Sequence, residues 1–303
     1  MKVLSAPQKL CIYSDDSRYQ TLVFLKDIDN EGILRKNKIE IHLDKVQFAS
    51  AAASLLFFAI VNRAQLLTKD PNLFKFRWPK KDTNPEGHRW VVQTGLSIAL
   101  LAGTEEKMSS LVAEGRFFQT AVEPYSHLAS TVQVLQLKAS LNDEQHSLLE
   151  IAIGEALLNV SHHAYESSIF SRDLSLMKGK RWWQCAWFSE EENTVVFIIC
   201  DLGSGIFHTF SPNDNGNSYE KQVSSVSKAM LVGESRFEGS GRGNGSEDIK
   251  RPIGTGCGDS ETLLILTGNV RYSYNSNQLQ PLCEKISEYI PGTLLEWTLT
   301  PRR

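Results

Sequence analysis

The chain has 303 residues, 41% of them hydrophobic and 22% charged, with a formal net charge of -3. That length suffices for two ordinary domains, and the near-balanced charge gives no general pull toward nucleic acid or anionic membrane. The five cysteines, at 11, 185, 200, 257 and 283, are odd in number and never spaced Cys-x-x-Cys. Neither a disulfide framework nor a zinc site is expected, and free thiols suit a reducing cytosol.

The opening MKVLSAPQKL carries no signal-peptide apolar stretch. Gln20 to Leu25 reads as a strand, and Ile39 to Leu43 alternates apolar and polar residues, also as a strand. The most apolar run, residues 48–61, lies between Lys45 and Arg63. It is shorter than the roughly twenty apolar residues a membrane span needs, so a buried helix starting near Ser50 is expected. Residues 74–90 interleave Lys75, Arg77, Lys80, Lys81 and Arg89 with Phe74, Phe76, Trp78 and Trp90. Such a mixture can stack on and neutralise single-stranded nucleic acid. Asp82 and Glu86 dilute the charge, and Pro79, Asn84, Pro85 and Gly87 favour a loop. The expectation is therefore a domain-edge excursion, with rings buried and charges solvated.

The segment 150–165 reads as a helix, with a capping box available from Asn142 and Gln145 and an apolar stripe of Leu149, Ile153, Leu157 and Val160. Glu155, Asn159 and His163 are spaced by four, so they share one face. Residues 178–183 are expected to open a strand that turns at 189–193 and returns as Val195 to Cys200. That β-branched strand ends in Asp201, with Gly203 and Gly205 behind it. A carboxylate then sits at a sheet terminus, beside backbone that a flat ligand can approach closely. Residues 239–245 alternate glycine with Ser240, Arg242 and Asn244, exposing a row of backbone N–H groups suited to phosphates. A short helix from Ser246, Glu247 and Asp248 follows, ended by Pro252. Thr267-Gly268-Asn269 looks like a hairpin turn, and Pro291-Gly292-Thr293 precedes a final strand.

In this order the pieces resemble the GHKL family of gyrase, Hsp90-type chaperones, histidine kinases and MutL. The nearest likeness is to anti-sigma-factor serine kinases. The family's Glu-x-x-x-Asn-x-x-x-His helix is matched by Glu155, Asn159 and His163, and its Asp-x-Gly-x-Gly box by Asp201, Gly203 and Gly205. Its second glycine box is matched by Gly241, Gly243 and Gly245, and its late Gly-Thr by Gly292 and Thr293. The resemblance covers roughly residues 140–300. It implies a two-layer α/β sandwich, the Bergerat fold, binding ATP and Mg²⁺. Asn159 would hold the Mg²⁺, with His163 on the same helix, and Glu155 would activate the attacking water or hydroxyl. Asp201 would accept from the adenine amino group, and Gly203 and Gly205 would lie against the base. Gly241, Arg242, Gly243, Asn244 and Gly245 would cradle the phosphates, and Thr293 would reach the adenine. Ile206 to Glu238 would form a mobile lid. Ser246 departs from the leucine usual after the second glycine box, and a further cluster, Gly254 to Gly258, is the alternative phosphate loop.

Residues 20–65 resemble STAS domains, with Ser50 near the position of their phosphorylated serine; an ordinary helix cap is the competing account. A sensor histidine kinase would use His127, but Leu128 stands where that pattern has an acidic residue. The expectation is thus a cytoplasmic bacterial α/β protein, with a smaller STAS-like α/β domain at 1–125 and a GHKL domain at 126–303. It is an ATPase working as a switch on a protein partner or a second copy, without membrane. A protein serine kinase and a non-catalytic nucleotide-binding module are the alternatives.

Overall fold

The computed structural model of the chain describes residues 1–138, 141–211, 218–231, 245–253, 261–278 and 280–301. Helices and strands are mixed throughout, as in an α/β protein. The chain divides into two compact units, Met1–Ala121 with Ser171–Cys185, and Val122–Phe170 with Ala186–Arg303. Residues 171–185 thus belong to the first unit, whereas the sequence reading grouped them with the second domain.

The first unit opens with β1 (Lys2–Ser5), β2 (Lys9–Leu10), α1 (Asp15–Asp29), β3 (Ile39–His42), β4 (Phe48–Ala49), α2 (Ala51–Thr68) and β5 (Phe74–Arg77). β1, β3 and β5 form a parallel sheet with β3 in the centre, and β2 and β4 form a small parallel ladder beside it. Parallel neighbours need crossovers; α1 supplies the first and α2 the second. The strand expected at Gln20–Leu25 is instead part of α1. Its buried residues Arg18, Thr21, Leu22, Leu25 and Ile28 recur at three and four, the helical period. The run Leu22-Val-Phe-Leu25 imitates a strand only over a window too short to show that period.

The buried helix expected near Ser50 is α2. Ser50 caps it, its hydroxyl accepting the Ala53 N–H at 3.3 Å. By length and composition α2 alone among the described residues could cross a membrane, yet it is buried within the unit. Asn62 explains how a polar residue survives there: its amide donates to the Ala102 carbonyl and accepts the Trp183 indole N–H, each at 2.9 Å.

α3 (Pro85–His88), α4 (Leu96–Leu100), α5 (Glu105–Ala113) and β6 (Phe118–Ala121) follow. The 74–90 segment is therefore strand and helix at its two ends, not a continuous loop. Its five basic side chains are all exposed, Phe74 is buried, and Phe76, Trp78 and Trp90 are half-buried.

The chain then enters the second unit through α6 (Pro124–Lys138) and α7 (Asp143–Asn159). It returns to the first for α8 (Ser171–Met177) and the start of β7 (Trp182–Ser189), whose residues 182–185 pair antiparallel with β6. The second unit continues with β8 (Thr194–Asp201), α9 (Gly205–Phe210), α10 (Tyr219–Ala229), α11 (Gly245–Lys250), β9 (Thr262–Asn275) and β10 (Leu282–Leu299). β10 lies between β8 and β9, antiparallel to both. Phe197 and Trp297 stand at its centre, fully buried. His127, on α6, is also buried.

No hairpin turn occurs at Thr267-Gly268-Asn269: β9 runs straight through it. Gly268 takes φ +55°, and the partner strand slips register around Ile290 and Thr293. Thr-Gly-Asn suits a β-bulge as well as a turn, and here it lies within one long strand. Gly292 likewise lies inside β10, not ahead of it.

Candidate functional site

The site begins at α7. Both halves of the capping box form: Asn142 accepts the Gln145 N–H at 2.9 Å, and the Gln145 side chain accepts the Asn142 N–H at 3.4 Å. Leu149, Ile153, Leu157 and Val160 are buried, so the apolar stripe sets the rotation of the helix. Glu155 is consequently half-buried and Asn159 exposed. The helix does not stay regular as far as His163. Residues Val160–Ala164 form a π-helical turn, whose hydrogen bonds skip one more residue than α-helical ones. His163 is therefore displaced from the line of Glu155 and Asn159, and its Nδ1 stands 3.5 Å from the Glu166 carboxylate.

The π turn presents two acceptors to the loop after β8. The Ala164 carbonyl accepts the Ser204 N–H at 2.8 Å, and the Tyr165 hydroxyl accepts the Leu202 N–H at 3.1 Å. Gly203 sits between them, so close that a Cβ there would lie 2.1 Å from the Ala164 oxygen. Any side chain at 203 would push the loop off the helix.

Asp201, the last residue of β8, is buried, and its Oδ1 accepts the Gly203 N–H at 2.8 Å. Burial pushes its carboxyl up to about 7; the backbone N–H groups of Gly203 and Thr293 pull in the other direction. Thr293 pairs with Asp201 across the β8–β10 ladder. Thr267, from β9, completes the cluster. Its hydroxyl accepts the Ile206 N–H and donates to the Gly292 carbonyl, each at 3.0 Å. Gly292 takes φ +67°, and a Cβ there would lie 2.1 Å from the Asp201 carbonyl oxygen.

Asp201, Gly203, Gly205 and Thr293 are thus brought together at one end of the sheet. Tyr165 and Thr267 had not been read from the sequence as parts of this site. Thr267 reads as a turn residue in the sequence, and nothing there marks Tyr165, whose place depends on the π turn.

Glu155 faces a second group. α11 packs against α7, and a Cβ on Gly245 would lie 2.9 Å from Glu155 Oε2. Burial, and then the Asp248 carboxylate, raise the Glu155 carboxyl above its ordinary range, with His162 opposing them. Asp248 is itself paired with Arg251 at 3.0 Å. Ser246, the departure from the family pattern, donates its hydroxyl to the Leu231 carbonyl at 3.1 Å, and Lys250 donates to Met230 at 2.9 Å. These bonds join the residues just after α10 to both ends of α11, so Ser246 has a local role that leucine lacks.

Gly241, Arg242, Gly243 and Asn244 lie outside the described residues, as do Gly254 to Gly258. Of the expected lid, 206–238, the parts within α9 and α10 are helical and packed on β9 and β10; 212–217 and 232–238 lie outside the described residues. Among the described residues Cys11, Cys185, Cys200 and Cys283 form no disulfide. Among the described residues no cluster of three histidine, cysteine or carboxylate groups is placed to hold a metal ion.

No protein-family model matches the chain, and neither does any curated protein or solved structure.

Proposed function

We propose that the second unit is a GHKL-type ATP-binding domain, a two-layer α/β sandwich. It would act as a slow Mg²⁺-dependent ATPase that passes its nucleotide state to a protein partner or a second copy. The observation that carries this reading is the convergence at Asp201: a buried carboxylate at a strand end, flanked by Gly203 and Gly205 and by Thr267 and Thr293 from two other strands. A buried carboxylate at a strand end suits the amino edge of a flat base. The adenine amino group would donate to Asp201, while Gly203 and Gly205, packed against Ala164 and Thr267, would fix the backbone beside it.

Asn159 would hold Mg²⁺. Its exposed side chain on α7 suits an ion that takes most of its ligands from phosphates and water and few from protein. Bound there, Mg²⁺ would offset the phosphate charge. Glu155 would take the proton of the attacking water. Its half-buried site and raised carboxyl are what a general base working near neutral pH needs. A pure nucleotide sensor has no use for such a group.

For the first unit, the STAS-like reading rests on β3 and α2. Ser50 is buried there with its hydroxyl capping α2, so no phosphoacceptor role is proposed for it.

Incubating the full chain with γ-labelled ATP and Mg²⁺ tests the proposal. Label should appear slowly as free phosphate. Label on protein would favour the serine-kinase alternative. A melting-temperature rise with ATP but no release of label would leave a binding module. No melting-temperature rise with ATP would overturn the nucleotide reading itself.

A further inference from the structure

The first unit has a cleft that the nucleotide reading does not use. It lies just beyond the carboxyl end of β5, an edge strand of the parallel sheet. Ligands of open α/β sheets commonly bind outside the carboxyl ends of the strands. The cleft measures about 440 Å³, within the usual range for small-molecule sites.

Three elements build it. The exit of β5 supplies Trp78, Lys80 and Lys81; α3 supplies His88; and α4 and the residue after it supply Ile98 and Leu101. The Trp78 indole is held by stacking on Phe76, with ring centroids 4.8 Å apart and planes 16° apart. It is therefore a fixed surface. Ile98 and Leu101 are 42% and 46% exposed, unusually open for such residues, and both line the cleft. Lys80 and Lys81 are exposed at the rim. Asp82 offsets one of them, so the rim keeps one net positive charge.

His88 adds a donor. Its Nδ1 is buried without a hydrogen-bond partner among the described residues. A proton on that nitrogen would be a buried donor with no acceptor. With Nδ1 buried, Nε2 is the ring nitrogen that can face a ligand, donating where it carries the proton.

We propose that this cleft binds a small flat aromatic anion: an apolar ring lies along Trp78, Ile98 and Leu101, and its single carboxylate or phosphate meets Lys80, Lys81 and His88. A single-stranded nucleic acid fits less well. Stacking successive bases along a strand needs a row of free rings, and here only Trp78 of the four aromatic rings in residues 74–90 lines the cleft, while Trp90 packs edge-on against Phe48 at 4.9 Å.

The test uses equilibrium dialysis of the full chain with 2-naphthoate. Binding should saturate at one site per chain. The double change Lys80→Ala with Lys81→Ala should weaken it at least tenfold, and so should Leu101→Asp. The cation 2-naphthylmethylammonium, with the same ring, should not compete. Both lysines are exposed, so their removal leaves the fold intact and keeps the test valid even if Leu101→Asp disturbs packing. No saturable binding at millimolar 2-naphthoate would overturn the proposal, as would affinity unchanged in the lysine variant. Displacement of bound 2-naphthoate by a ten-base oligothymidylate, through the same lysines, would overturn it in favour of nucleic acid.

Discussion

The Tyr165 hydroxyl accepts the backbone N–H of Leu202 at 3.1 Å, tying the end of the Glu155 helix to the loop that follows Asp201. The two strongest sequence signals in the chain thus meet through a residue that neither contains. Tyr165→Phe keeps the ring and its edge contact with Phe170, 5.3 Å away, and removes only the acceptor. A buried N–H left without a partner costs about 1–3 kcal/mol. We expect a loss of that size in denaturant unfolding, with weaker ATP stabilisation because Gly203 and Gly205 would no longer be held. An unchanged midpoint would show that water replaces the hydroxyl.

Gly203→Ala should damage the same junction by overpacking. The added methyl would sit 2.1 Å from the Ala164 oxygen, so either the loop or the π turn must move. The expected cost is roughly 1–3 kcal/mol, and ATP should lose most of its effect on the melting temperature. A variant as stable as wild type, with full ATP response, would show that the loop is not docked on α7 in solution.

Asp201 gives a pH signature. Its folded carboxyl lies at about 7 because burial disfavours the charge, well above an unfolded aspartate. Between those values the native chain holds a proton that the unfolded chain has lost, so stability falls as pH rises through this window. Below the unfolded value the penalty vanishes. Asp201→Asn should flatten the fall. ATP should act in the opposite sense, because a donor arriving at Asp201 favours the charged carboxylate. Affinity should therefore rise from pH 6 to pH 8, with proton release seen as buffer-dependent heat in calorimetry. Wild type and Asp201→Asn with the same pH profile would remove this assignment.

Much of this site was legible because its parts are local. The capping box, the Leu149–Ile153–Leu157 stripe and the strand ending in Asp201 are each written within one element, and each folds as that element's pattern requires. What could not be read depends on contacts between distant segments. The π turn at Val160–Ala164 has no composition of its own, and it moves His163 off the expected face. Thr267 looks like a turn residue until β10 is laid beside it, when its hydroxyl becomes the clasp between Ile206 and Gly292. Gln20–Leu25 failed for the reverse reason: a local apolar run was trusted over the longer helical period that includes Arg18 and Ile28.

Glu155 separates binding from chemistry. Glu155→Gln removes the proposed base while keeping size and shape, so ATP should still raise the melting temperature. Turnover should fall by about a hundredfold or more. Asp248→Asn offers a subtler check. Glu155 is raised first by burial and second by the Asp248 charge, and removing that charge lowers its carboxyl. A base must be ionised to act, so activity climbs with pH through the Glu155 titration, and in Asp248→Asn that climb should move to lower pH. An acid limb that stays in place, with Glu155→Gln as active as wild type, would leave Glu155 outside the chemistry.

The phosphate loop can be located by the same kind of contrast. Ser246 at the start of α11 and Lys250 at its end bond to Leu231 and Met230. Gly245, the first residue of α11, lies beside Glu155, the proposed base, which is why the first glycine cluster is preferred for the phosphates. A side chain where a phosphate oxygen must approach backbone acts by clash. Gly243→Val should abolish ATP protection while leaving circular dichroism unchanged, and Gly256→Val should be milder. Ser246→Ala, which removes the bond to the Leu231 carbonyl, should weaken ATP binding without touching the base site, so the Asp201 pH profile should persist in it. Should Gly256→Val prove the severe change, the phosphates belong to residues 254–258, and Gly245 then approaches Glu155 only to pack α11 on α7.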